Sequence, residues 1–181
     1  EISPRDWSSD VCSSDLGYVP VGGVVISDEI AATFDHRVFP GGLTYSGHPL
    51  AAASIVASIT AMREEGIVEH AARIGRDVLG PGLADLQHRH PVVGEVRGLG
   101  VFWALDLVSD RDTRAMLAPY GGTSEAMGVL TAGCRRRGLL SFTNVNRLHV
   151  VPPCTVTDDD ARTGLAILDE VLTEVDRYYE G

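Results

Sequence analysis

The spacing of apolar residues switches between two periods along this chain, and no single-layer or all-helical fold accommodates both. Ile67, Ala71, Ile74 and Val78 recur at helical steps, and Leu79, Leu83 and Leu86 continue the series. Such spacing turns one face of a helix toward a core. Val101, Trp103, Leu105 and Leu107 instead alternate, as a half-buried strand requires. The helical spacing returns in Ala161, Leu165, Leu168, Leu172 and Val175. Helices interleaved with strands imply an α/β or α+β layered architecture.

Local signals set the boundaries. Residues 24–26 form a short apolar run suited to a buried strand, and Ser27 before Asp28 and Glu29 reads as a helix start. Phe39-Pro40-Gly41-Gly42 reads as a loop. A helix is predicted from Pro49 to about Glu65, with proline in the first turn, where its missing N–H costs little, and Gly66 as its end. Residues 50–57 are small and apolar on nearly every face, so this helix is expected to be buried or held against another subunit. Left uncovered, it would make the chain aggregate or dimerise loosely. Gly80-Pro81-Gly82 predicts a kink or a break. Strands are predicted at 92–97, 99–108, 139–142 and 147–151. Residues 109–122 are charged and glycine-rich, with no clear period. Thr123 or Ser124 caps a helix to about Arg137, and Gly138 stops it. Asp158, Asp159 and Asp160 follow Thr157 at the start of the last helix, where the helix dipole favours acids.

Composition removes whole classes of chemistry. All 15 basic residues are arginine, so these residues offer no lysine for a Schiff base, a general base or a P-loop. A net charge of -10 opposes nucleic-acid binding, which needs a basic stripe. The one basic cluster, Arg135-Arg136-Arg137, precedes Gly138 and suits the last turn of a helix. No apolar run reaches the roughly 18 residues of a membrane span. The polar N-terminus lacks a secretory h-region. Cys12, Cys134 and Cys154 show no metal-ligand spacing. His88 and His90 flank Arg89 two positions apart, which puts them on different helix faces rather than in a metal pair. The expectation is a cytoplasmic protein with reduced thiols, no metal, no membrane and no nucleic acid.

Residues 1–16 read differently from the rest. Ser-Ser-Asp occurs twice, no period is present, and Asp6 to Leu16 resemble a sequencing adapter translated in frame. The segment is expected to be foreign and to stand outside the fold. It carries Glu1, Asp6, Asp10 and Asp15 against Arg5, three of the ten net negative charges.

The most informative stretch for chemistry is Gly41-Gly42-Leu43-Thr44-Tyr45-Ser46-Gly47-His48-Pro49. Glycines and hydroxyls just before a helix place N–H and O–H donors at its positive end, which suits a phosphate. The bland alternative is that Ser46 merely caps the helix, with His48 structural. Gly98-Leu99-Gly100 lacks the third glycine of a dinucleotide fingerprint and reads as a tight bend between strands.

Thr44 to Ala51 resembles the signature of the class III, or ω-amino-acid, aminotransferases. Gly17-Tyr18-Val19-Pro20-Val21-Gly22-Gly23, Val96-Arg97-Gly98-Leu99-Gly100 and Val151-Pro152-Pro153 match further family segments in order. The resemblance implies a pyridoxal-phosphate enzyme of fold type I, working as a homodimer on an amino donor and a keto acid. Residues 17–60 would end the large domain and 61–181 would form the small C-terminal α/β domain. Thr44 would reach the cofactor phosphate, of the neighbouring subunit in the family, and Tyr45 would line the same site. The family's Schiff-base lysine falls a few residues before Gly17, near Cys12, where this chain has none. No catalytic residue is therefore assigned, and the chain is expected to be an inactive fragment. The family's carboxylate-binding arginine falls on Phe142, so Asn144 and Arg147 are the candidates for substrate contact. The alternative is a non-catalytic α/β binding or oligomerisation module.

Overall fold

A computed structural model describes residues 10–12, 19 and 23–181. It divides into two compact units, Glu1–Glu65 and Gly66–Gly181.

In the first unit β1 (Asp10–Cys12) pairs antiparallel with β2 (Gly23–Val25). Thus three residues of the stretch expected to stand outside the fold form a strand, while 1–9 and 13–16 lie outside the described residues. In α1 (Asp28–Ala32) the Ser27 hydroxyl accepts from the Ile30 amide at 3.4 Å. Pro49 opens α2 (Pro49–Glu64), and Gly66, with φ +61°, follows its end. No described residue of this unit is buried, and Leu50, Val56 and Ile59 of α2 are exposed. Residues 24–26 are exposed here, and α2, expected to be buried or held against another subunit, has no buried residue within this chain. Within the unit, a two-stranded ribbon and a five-residue helix offer no second layer to cover them.

The second unit holds the core. Its first helical rod runs through α3 (Ile67–Ile74), one π-helical turn (Gly75–Leu79) and α4 (Gly80–Arg89). The chain then enters β3 (Val93–Leu99) and β4 (Phe102–Asp110), with β5 (Ala115–Met116) after a turn. Next come α5 (Glu125–Arg136), the hairpin β6 (Phe142–Asn144) and β7 (Arg147–Val150), and α6 (Asp158–Val175). The sheet is antiparallel with order β3-β4-β7-β6, and β5 pairs with the end of β4. Leu105, Leu107 and Leu148 are buried with Leu83 and Leu86 of α4, Leu130 of α5, and Leu168, Val171 and Leu172 of α6. Alternation sends Phe102, Ala104, Asp106, Arg147 and His149 to the opposite face.

The expected interruption at Gly80-Pro81-Gly82 is a π turn placed just before it, and the helix continues through the proline. A proline inside an α-helix loses one hydrogen bond and collides with the carbonyl four residues back. Widening the preceding turn, with the Gly80 amide bonded to the Gly75 carbonyl, relieves that collision. The same turn meets the β3–β4 loop backbone to backbone. A Cβ on Gly75 would lie 2.1 Å from the Gly100 carbonyl oxygen, and a Cβ on Gly98 would lie 2.3 Å from the Trp103 ring. The indole N–H of Trp103 donates to the Gly100 carbonyl at 2.7 Å. Gly100 takes φ +57° in the two-residue loop joining Leu99 and Phe102.

The strand expected at 139–142 begins only at Phe142. The Leu139 amide is bonded to the Cys134 carbonyl and Gly138 sits at φ +83°, so 138–139 serve as the C-terminal cap of α5. Ser124, rather than Thr123, is the N-cap, accepting from the Met127 amide at 3.2 Å. The basic cluster ends α5 as expected, with Arg137 bound to Glu170 and Glu174 of α6 at 2.8 and 2.7 Å.

Two polar clamps fix α6. Arg73 reaches both oxygens of Asp158, at 3.0 and 2.7 Å. The buried His90 ring lies between Asp169 and Asp176, each 2.7 Å from one ring nitrogen, and Arg89 also pairs with Asp169. Hydrogen bonding from Arg73 holds the Asp158 carboxyl below the usual range, and hydrogen bonding from His90, then Arg89, does so for Asp169.

Two outcomes follow. Gly75→Ala drives a methyl into backbone and lowers stability by about 3 kcal/mol, whereas Gly128→Ala, in open space on α5, raises it by about 0.5–1 kcal/mol; urea titration of both variants reads the contrast. For pH, a carboxylate with a depressed folded-state pKa contributes stability that is present above its unfolded value of about 4 and lost as pH falls through the lower folded value. The unfolding midpoint is therefore flat above about pH 5 and falls below about pH 4. Asp169→Asn flattens part of that acid limb, and an unchanged limb would show that the clamp is not coupled to folding.

Candidate active site

Thr44 and Tyr45 lie in two successive turns ahead of α2. The Ser46 amide bonds to the Leu43 carbonyl at 2.9 Å and the His48 amide to the Tyr45 carbonyl at 3.2 Å. Ser46 does not cap the helix: the N-cap is His48, whose side chain makes no capping bond. The first amides of α2 after Pro49 thus keep the donor capacity common to helix starts. The Tyr45 ring sits 5.5 Å from the His48 ring and is 77% exposed. Tyr45, Ser46, Gly47 and His48 line a cleft of about 520 Å³ closed on its other side by Leu50, Ala51 and Ile55. Thr44 is exposed at the turn and is not part of that lining.

Asn144 and Arg147 belong to the second unit, where they are partners across the β6–β7 turn. The turn residues are Val145 and Asn146. Asn146 is buried, donating to the Leu107 carbonyl at 2.8 Å while its own carbonyl accepts from the Leu107 amide at 2.9 Å. Val145 has φ +58°, a left-handed conformation that a β-branched residue adopts only under strain. The anchored Asn146 holds it there, and the result sets Asn144 and Arg147 side by side. Both line an open cleft of about 360 Å³ together with Met116, Tyr120 and Gly121.

Arg147 is not alone. Its Nε donates to Asp106 Oδ1 at 2.8 Å, and the other oxygen of Asp106 takes Arg97 Nη2 at 2.5 Å. Glu95 stands 3.7 Å from Arg97 and 2.8 Å from Arg114. The η-nitrogens of Arg147 have no partner among the described residues, so a guanidinium braced at Nε keeps its outer donors for an acid. On the same face Phe142 and Phe102 flank His149, at ring separations of 5.2 and 6.4 Å, and His149 Nε2 is buried without a partner. Phe142 is thus part of an aromatic cluster with His149 and Phe102. Sequence reading did not single out Asp106, Arg97 or His149 as site residues. Asp106 lies on the polar side of the alternating β4, which was read only for its buried side.

Solved structures with this architecture are pyridoxal-phosphate transaminases of fold type I. The taurine:2-oxoglutarate aminotransferase of Bifidobacterium kashiwanohense, solved with pyridoxal phosphate and glutamate, superposes with a TM-score of 0.86 at 34% identity over 96% of this chain and 39% of its own. A pyridoxal-phosphate-bound amine transaminase from an uncultivated Pseudomonas species gives 0.79 at 34% identity over 87% and 36%. By sequence, a putrescine–pyruvate aminotransferase of Pseudomonas aeruginosa is 35% identical over 159 residues, 87% of this chain and 32% of its own length. Residues 15–172 match the aminotransferase class-III family, and the chain belongs to it. It spans about a third of the length of the curated relatives it matches.

The donor set at the start of α2, amides with no side-chain cap and neighbouring hydroxyls, fits the phosphate end of the family's cofactor. No lysine is available for its aldehyde end.

Replacing Val145 with asparagine, which tolerates φ above zero, raises stability by on the order of 1 kcal/mol. A loss of that size in thermal unfolding would show that Val145 is not strained.

Proposed function

We propose that this chain carries the phosphate-contacting turn and the acid-binding hairpin of a pyridoxal-phosphate aminotransferase that moves an amino group between an amine or amino acid and a keto acid. The class III match over residues 15–172 carries the reading. It favours this reading over the alternative of a non-catalytic α/β binding or oligomerisation module. Residues 17–60 would close the cofactor domain and 61–181 would form the small domain, in a homodimer. The reduced thiols of Cys134 and Cys154 suit a cytoplasmic setting.

In this reading the Thr44 hydroxyl and the first amides of α2 hold the cofactor phosphate, and Tyr45 covers its flank. Fixing the phosphate at a helix start uses the positive end of the dipole and orients the group without a counter-cation. The bound cofactor supplies an electron sink for carbanion chemistry at the amino carbon. Asn144 and Arg147 hold the acidic end of the substrate, two N–H donors of the guanidinium facing two oxygens. The aromatic cluster of Phe102, Phe142 and His149 gives the substrate an apolar floor and excludes water from that end. One structural relative is named for taurine, an amino sulfonate, whose end group has the same demand for planar donors.

With no lysine, the chain lacks the amine that would bind the cofactor covalently and shuttle its proton, so it is inactive by itself. Mixed with pyridoxal phosphate, an amine donor and pyruvate, it forms alanine no faster than the cofactor alone does. Turnover above that background, measured by chiral chromatography of the alanine, would overturn the assignment of inactivity.

A further inference from the structure

We infer that Asp106 is a specificity-determining residue: by holding Arg97 and Arg147 together, it tunes the hairpin subsite to singly charged carboxylate or sulfonate end groups and against doubly charged phosphonate or phosphate. The inference rests on the acid-binding role proposed above for Arg147 and goes beyond it by naming the charge of the group accepted.

The argument is one of charge and geometry. Asp106 is only 18% exposed at its side chain, and its two oxygens are divided between two guanidiniums, Arg147 Nε and Arg97 Nη2. Glu95 lies opposite Asp106 on β3, and its carboxylate takes Arg114 and approaches Arg97. Arg97, Arg114 and Arg147 with the two carboxylates sum to one positive charge around Asp106, while Arg111, which lines the same cleft, is held on backbone carbonyls at the end of α4. That surplus balances a monoanion bound on the free η-nitrogens of Arg147. A dianion brings a second negative charge close to the Asp106 carboxylate, which already engages both neighbouring guanidiniums. At a separation of about 6 Å and an effective dielectric of about 40, that repulsion amounts to about a tenfold loss in affinity. Asp106 cannot turn away, since each oxygen is fixed by an arginine and its strand is paired on both sides, with β3 and with β7.

Ethanesulfonate and ethylphosphonate at pH 8.5 test this, because they share a shape and differ by one charge. The readout is the Arg147 Nε–H resonance of the ¹⁵N-labelled 181-residue chain, titrated with each anion, and the quantity is the ratio of the two dissociation constants. Asp106→Asn shifts that ratio about tenfold toward the phosphonate, and Arg97→Gln, which removes one positive charge and leaves Asp106 in place, shifts it toward the sulfonate. A purely structural role for Asp106 would weaken both anions together and leave the ratio alone. Saturable binding of both anions with a ratio unmoved in either variant overturns the inference while leaving the acid-binding role of Arg147 standing. If neither anion shifts Arg147 in the unsubstituted chain, both the inference and that role fall.

Discussion

The contact on which the second unit depends has no side chains in it. Gly75 of the π turn and Gly100 of the β3–β4 loop meet backbone to backbone, at a distance that even one methyl group would violate. Trp103 completes the joint. Its indole N–H bonds to the Gly100 carbonyl, and its ring lies against both Gly98 and Gly80. Gly75, Gly80 and Gly98 are required by close approach and Gly100 by its positive φ. The helical rod is thereby seated on the end of the sheet, and the sheet's polar face is left clear. That face carries Arg147, Asp106 and Arg97. The glycine-rich stretch around Gly98 is thus a packing device: it sets where β3 and β4 run, and so where Arg97 and Asp106 stand.

The absence of lysine gives the electrostatics of this chain a particular character. Arginine forks onto two acceptors at fixed angles where an ammonium would float. The structure uses this repeatedly: Arg73 on both oxygens of Asp158, Arg137 across Glu170 and Glu174, Arg111 on the carbonyls of Gln87, His90 and Val93 at the end of α4. Most of these pairs are partly exposed, so each contributes little alone. Their value lies in direction. They fix α6 and the end of α4, while Arg147 is braced by one nitrogen and keeps the others.

Much of the second unit was legible in the sequence, because its elements are periodic and bounded by strong local signals. The stripe from Ala161 to Val175, the alternation in β4 and the stop at Gly138 all reappear in the structure. What was not legible depended on long-range geometry. Residues 138–139 look like the start of a strand in composition but are spent capping α5. The proline at 81 looks like a break, yet its cost is absorbed one turn earlier. Of the candidate site, the turn before α2 was singled out first by its glycines and hydroxyls, and the pair Asn144 and Arg147 by resemblance. Asp106 escaped notice because a single acid among apolar neighbours carries no local signal; its meaning comes from Arg97 and Arg147, brought to it across two different strand pairings. The composition of α2 asked for burial or a partner subunit, and within its own unit the helix is at most half-buried.

The π turn has one more consequence, for what can change in this segment without loss of the fold. A residue inserted or deleted in a helix rotates everything beyond it by about 100°. The wide turn at 75–79 acts as a fixed insertion, setting the phase between α3 and α4 so that Ile74, Val78, Leu83 and Leu86 all reach the same core. Winding the same residues as a regular helix would turn Leu83 and Leu86 by about 100°, away from that core. Changing the length of this segment by one residue therefore changes the turn itself, and with it the seat of Gly75 against Gly100.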